Sequence, residues 1–169
     1  MKKVVLACHC LEVLALTIWV GGLIAIIASV IPAVFNTIGM EAGGRVLTRT
    51  FQGYDRLVLG AALIVVAGML VRGFGPKIVG ASGGIKEAVG STEPHLIGIM
   101  IAIASLLAFY LNPEVARLQE TAFGVKEVAA KRVAYEHFFF YHRVARALYL
   151  VNLGLGIAVL CVKVRKWAR

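Results

Sequence analysis

From residue 13 to residue 40 the chain runs without a single charged side chain. A helix crosses the hydrocarbon core of a bilayer in about 20 apolar residues, and this stretch is longer. Lipid offers no partner for backbone N–H and C=O groups, so a spanning run must be helical. Three further apolar stretches follow. Spans are expected over residues 4–35, 46–72, 94–111 and 138–162. Hydrophobic residues make up 60% of the 169, with a mean hydropathy of +0.85. Soluble domains sit nearer 45–50% apolar, so an oversized soluble core is excluded. The expected fold is an all-α four-transmembrane-helix bundle, one integral membrane domain over residues 1–169.

The punctuation between spans sharpens this outline. Pro32 is expected to end or kink the first helix. Gly21, Gly22, Ala25, Ala28 and Ser29 recur at spacings of three and four, a stripe that lets another helix approach closely. The second span opens amphipathically, with Arg45, Arg49 and Arg56 near one face and Asp55 beside them. Residues 73–90 are glycine-rich, contain Pro76 and read as a loop. Ser91 or Thr92 suits an N-cap and Pro94 the first helical turn. Asn112-Pro113-Glu114 reads as the end of the third helix and the start of another. Residues 114–136 alternate acids, bases and alanine, which predicts an amphipathic surface helix leading into the fourth span, broken at Gly124. No internal repeat is evident. Four spans put both termini on one side of the membrane. Lys2, Lys3 and the basic tail orient that side towards the cytoplasm by the positive-inside rule.

The formal net charge is +9. The basic residues flank the apolar stretches, where Lys and Arg meet lipid headgroups, and no nucleic-acid recognition fold fits the pattern. The expected contacts are membrane lipids and other integral membrane subunits. Cys8, Cys10 and Cys161 are too few and too scattered for a disulfide framework. The first apolar run continues through Glu12 without a cleavage pattern, so it is expected to be retained as a span.

Ionisable groups in apolar spans need a partner, water or the interface. His142, Arg146, Tyr149 and Asn152 form one helical stripe, read as a polar seam inside the bundle or as snorkelling groups plus one interhelical hydrogen bond. Glu12 is either a relay carboxylate, an arginine partner or a group near enough to the interface to stay wet. Asp55-Arg56 reads as a self-neutralising pair or a structural interhelical bridge rather than a catalytic pair. Cys8, His9 and Cys10, with His95 on the same side, offer soft ligands for copper or zinc. Cys8 and Cys10 lie on opposing sides of a regular helix, which opposes joint ligation. His9 and His95 are alternatively axial ligands for a b-type haem. No nucleophile elbow or phosphate-binding glycine loop occurs, so no enzyme activity is expected.

Three blocks in order resemble the transmembrane-protein-205-like family. They are IWVGGL with the following proline, RVLTRTFQGYDRL, and the pair NPEVARLQ and FFFYHRVARALYLVNLGLG. Asn112, Pro113, Phe139, His142 and Asn152 carry the match. The opening span is also similar to copper-resistance D-type membrane proteins, which place a His seven residues before the Trp. Glu12 stands there in this chain, and His9 lies a turn earlier. The resemblance implies a four-helix protein of a bacterial inner membrane, with no established chemistry. The expected role is a non-catalytic accessory or scaffolding subunit of a larger membrane complex, one for electron transfer among the candidates. In that role His142, Arg146 and Asn152 lock the fourth helix, and Arg49 and Asp55 anchor the second. A haem- or copper-handling protein and a small transporter are the alternatives.

Overall fold

The computed structural model describes residues 2–78, 92–125 and 127–167, with side chains placed for 6–71, 92–125 and 127–165. Ser91, Lys86, Glu87 and the later part of the glycine-rich stretch lie outside the described residues. Among the described residues, six α-helices and two π-helical segments build four rods. The first rod is α1 (Lys2–Ala25), a π segment (Ile26–Val30) and α2 (Ile31–Ile38). The second is α3 (Met40–Ile78). The third is α4 (Thr92–Leu106), a π segment (Leu107–Leu111) and α5 (Asn112–Gly124). The fourth is α6 (Val128–Trp167). Each rod contains a helix long and apolar enough to cross a membrane: Leu6–Ile38, Met40–Val71, Thr92–Gly124 and Val128–Arg165.

The expected breaks at proline are bridged instead. Pro32 and Pro113 lack the N–H that continues an α-ladder. In both rods the turn before the proline widens to the π register. The Ile31 N–H bonds the Ile26 carbonyl, and the Asn112 N–H bonds the Leu107 carbonyl. The helix then runs on through the proline. The second helix likewise continues past Gly73 and Pro76 to Ile78, where the sequence suggested a loop. Residues 114–136 break after Gly124, as expected, with Val125 extended; the part before the break prolongs the third rod as α5 and the part after it opens the fourth as α6.

Gly39 alone joins the first rod to the second. Its φ of 77° is open to glycine and strained for other residues, and it folds the two rods back on each other. The first rod packs on the second, the second on the third, the third on the fourth and the fourth on the first. The core between them is filled by Leu16, Trp19, Leu23, Val65, Met100, Leu107 and Val159. A Cβ on Gly156 would sit 2.5 Å from the Val20 side chain and 3.3 Å from that of Met100, so glycine is what lets the fourth rod close on the first and third. Leu63, Phe109, Tyr110 and Phe140 face outward, as a lipid-embedded surface requires.

The first and third rods repeat each other. Glu12 matches Glu93 and Pro32 matches Pro113, both at an offset of 81 (93 − 12 and 113 − 32), and the π segments start at the same offset (107 − 26). Burial follows the same register: Leu16, Trp19, Leu23 and Ile26 correspond to Ile97, Met100, Ala104 and Leu107. The expectation of no repeat is therefore corrected. The likeness lies in acid-to-proline spacing and burial rather than in residue identity.

Candidate functional site

The buried face of α6 is set by a period of about 3.5 residues: Ala145, Tyr149, Asn152, Gly156, Val159 and Lys163. This stripe carries two polar groups of residues at two depths. Tyr149 and Lys163 are fourteen residues apart, about 21 Å along the helix. Both therefore fit within the ~30 Å hydrocarbon thickness.

The first group joins three rods at the end of the bundle where α1 begins. Lys163 Nζ lies 2.6 Å from Glu12 Oε2 and 2.7 Å from Glu93 Oε1. Glu12, Glu93 and Lys163 are 0%, 4% and 3% exposed. The second rod contributes a gap rather than a charge. A Cβ on Gly68 would stand within 2.9 Å of the Glu12 side-chain carbons and closer still to Oε1, so only glycine leaves room for that carboxylate. Removing three charges from water is costly, and the lysine bridging two carboxylates is the arrangement that limits the cost.

The second group lies deeper along the rods. Tyr149 OH donates to Asp55 Oδ1 at 2.7 Å. Asn112 Nδ2 donates to Asp55 Oδ2 at 2.5 Å and to Tyr149 OH at 2.6 Å. Tyr54 OH donates to the Trp19 carbonyl at 2.8 Å. One turn along α6, Asn152 Nδ2 donates to the Met100 carbonyl at 3.1 Å. Between them is a cavity of about 10 Å³ lined by Asp55, Tyr54, Tyr149, Asn152, Trp19 and Leu107, among others. Leu16, Val65, Met100 and Val159, all buried and apolar, form a layer between this group and the Glu12 group.

The residues singled out by sequence divide sharply. Glu12, Asp55 and Asn152 are buried and bonded across rods. Glu12 meets a lysine from the far end of the chain, not an arginine or the wet interface. Asp55 meets Asn112 and Tyr149, and no ion pair to Arg49 or Arg56 occurs among the described residues. His142, Arg146 and Arg49 are exposed, so they do not form the interior seam or lock. Arg146 stands one residue off the buried stripe, about 100° around the helix. His142 stacks on Phe138 with ring centroids 5.6 Å apart. Cys8 and His9 are half-buried, while Cys10 and His95 are exposed on regular helices. Among the described residues no three His, Cys, Asp or Glu side chains gather as a metal site.

Lys163, Glu93, Gly68 and Asn112 complete the two groups without having been singled out as site residues, while Tyr149 comes from the expected polar stripe. Lys163 stands at the head of the basic tail, and Glu93 sits between Thr92 and Pro94 in what reads as a capping sequence. The signal that finds Glu93 is its twenty-residue spacing to Pro113, the same as from Glu12 to Pro32.

The family model described as "Domain of unknown function (DUF4149)" matches residues 14–123. That match runs from within the first rod almost to the end of the third; it includes Asp55, Gly68, Glu93 and Asn112, and Glu12 and Lys163 lie outside it. No match to the transmembrane-protein-205-like or copper-resistance D-type families accompanies it. No curated protein and no solved structure matches the chain.

Proposed function

The chain belongs to the DUF4149 family, a domain of unknown function, and from that premise we propose that it is a non-enzymatic integral membrane protein whose core binds a proton. One observation carries the reading: two carboxylates share one ammonium, all three almost fully buried. Lys163 offsets the charge of one carboxylate, and Glu12, Glu93, His9 and His95 each hold further contacts. Two carboxylates this close to one ammonium titrate as a coupled set, which favours a proton shared within the cluster, on a carboxyl or on an imidazole. His9 lies three residues before Glu12 and His95 two after Glu93, so both imidazoles are close in sequence. Whichever group holds it, the Glu12–Lys163–Glu93 cluster takes up the proton as a unit.

Two features support a working site over a mere clasp. Ionisable residues within membrane spans are costly and mark proton or ion pathways. Ion sites in small transporters also fall where structural repeats meet. Here Glu12 and Gly68 come from the first pair of rods, and Glu93 and Lys163 from the second. The test is proton uptake by the protein reconstituted in lipid, titrated from mildly alkaline to mildly acid pH. Glu93→Gln leaves Glu12 paired one-to-one with Lys163 and is expected to bind about one proton fewer than the wild type.

A second reading, an accessory subunit of a larger membrane assembly, has its own support. The stripe Gly21, Ala25, Ala28 and Ser29 faces outward, and a Cβ on Gly21 would meet nothing within 4 Å. Mild detergent extraction followed by native electrophoresis tests this. A subunit is expected to migrate with partners, and Gly21→Leu to release it. Migration as an isolated monomer counts against this reading and leaves the proton site standing. Neither reading assigns a haem or copper to His9, His95, Cys8 or Cys10.

A further inference from the structure

We propose that Asp55 is a second, separate proton-binding site, whose acid hydrogen bonds through one cavity water to Asn152. The inference rests on the reading of the core as proton-binding and adds a site at another depth.

The hydrogen-bond inventory argues for it. Asn112 Nδ2 spends both hydrogens, on Asp55 Oδ2 and on Tyr149 OH, and Tyr149 spends its one on Asp55 Oδ1. Asn152 Nδ2 is held by the Met100 carbonyl, which fixes Oδ1 on the other side of the amide. That Oδ1 is fully buried and has no donor. A buried acceptor without a donor is costly. A water in the cavity supplies the donor to Asn152 Oδ1. A protonated Asp55 donates to that water in turn, and leaves no unbalanced charge among these apolar walls.

The space fits the link. The cavity of about 10 Å³ lies between Asp55, Tyr54, Tyr149 and Asn152, roughly what one water needs. A water there accepts from the Asp55 acid and donates to Asn152 Oδ1, with Tyr54 OH as a further acceptor. The exchange balances simply: hydronium gives its proton to the Asp55 carboxylate and stays as water.

The charged surroundings agree. From its own helix Asp55 is flanked by Tyr54 and by exposed Arg56. The first rod presents Trp19 and Leu23, and the third presents Ala104, Leu107 and Asn112. The fourth presents Tyr149 and Asn152, while Arg146 is exposed. No ion pair to Asp55 occurs among the described residues. Unlike Glu12, it has no lysine to balance it, so a proton is the means at hand for neutralising it.

Infrared spectroscopy of the reconstituted protein tests the proposal through the C=O stretch of protonated carboxyls. Asp55→Asn is expected to delete one component that survives in Glu93→Gln. Asn152→Leu is expected to move that component to higher frequency, because the acid loses its hydrogen-bonded relay. Tyr149→Phe, which keeps the ring, is expected to shift it as well, so the test stands if Asp55→Asn fails to fold. A spectrum unchanged by all three variants overturns the second site. Because Glu93→Gln is read through proton uptake and leaves the Asp55 component alone, failure here is distinct from failure of the Glu12–Lys163–Glu93 reading.

Discussion

Lys163 has two acidic partners and almost no solvent, so its removal takes the ammonium from both carboxylates at once. Breaking a buried ion pair from one side costs about 3–5 kcal/mol. Lys163→Met is expected to lose stability on that scale in thermal unfolding in detergent. Adding Glu12→Gln and Glu93→Gln to the same chain is expected to restore most of it, since no charge is then stranded. Equal loss in the single and triple variants would mean that lysine packing, not charge pairing, sets the stability. The sequence left these partners hard to see for a physical reason. Glu12 is conspicuous because it interrupts an apolar run. Lys163 is one of several bases after an apolar run, and only its place on the Tyr149–Asn152–Gly156 stripe separates it from Arg165. Gly68 carries no chemistry in the sequence at all. Its meaning is the space it leaves for Glu12.

Helices in this protein tolerate proline by widening one turn. The π segments at Ile26–Val30 and Leu107–Leu111 let both rods pass Pro32 and Pro113 without stopping. The second of them lies one residue before Asn112 and so sets where that amide points. Sequence rules that end helices near proline were written for soluble proteins. A membrane helix that stopped there would leave carbonyls unsatisfied in lipid, which is why the rod continues. The close approach of the fourth rod is equally an element property. Gly156→Leu must push Val20 and Met100 aside, and overpacking of this kind costs about 1–3 kcal/mol. A lowered midpoint in detergent unfolding, with Lys163 and Glu12 unchanged in sequence, is the expected outcome. Wild-type stability would show that the rods are less tightly closed there.

Over the whole molecule, the apolar pattern disclosed four helical rods and their membrane character. It did not disclose how the rods divide their labour. Charges on the rod surfaces, such as Arg49, His142 and Arg146, drew the eye in sequence yet are exposed. The interior polar residues are spread from Glu12 to Lys163 over all four rods, and only the bundle gathers them. The result is a lipid-facing shell around two polar groups, with Leu16, Val65, Met100 and Val159 as an apolar layer between them. Both groups bridge the first pair of rods to the second. Proton uptake by the lipid-reconstituted protein, wild type against Glu93→Gln, tests the central claim most directly. The account expects the wild type to bind about one proton more than the variant as the pH falls. Identical uptake by the two would contradict it and leave the Glu12–Lys163–Glu93 cluster as a structural clasp.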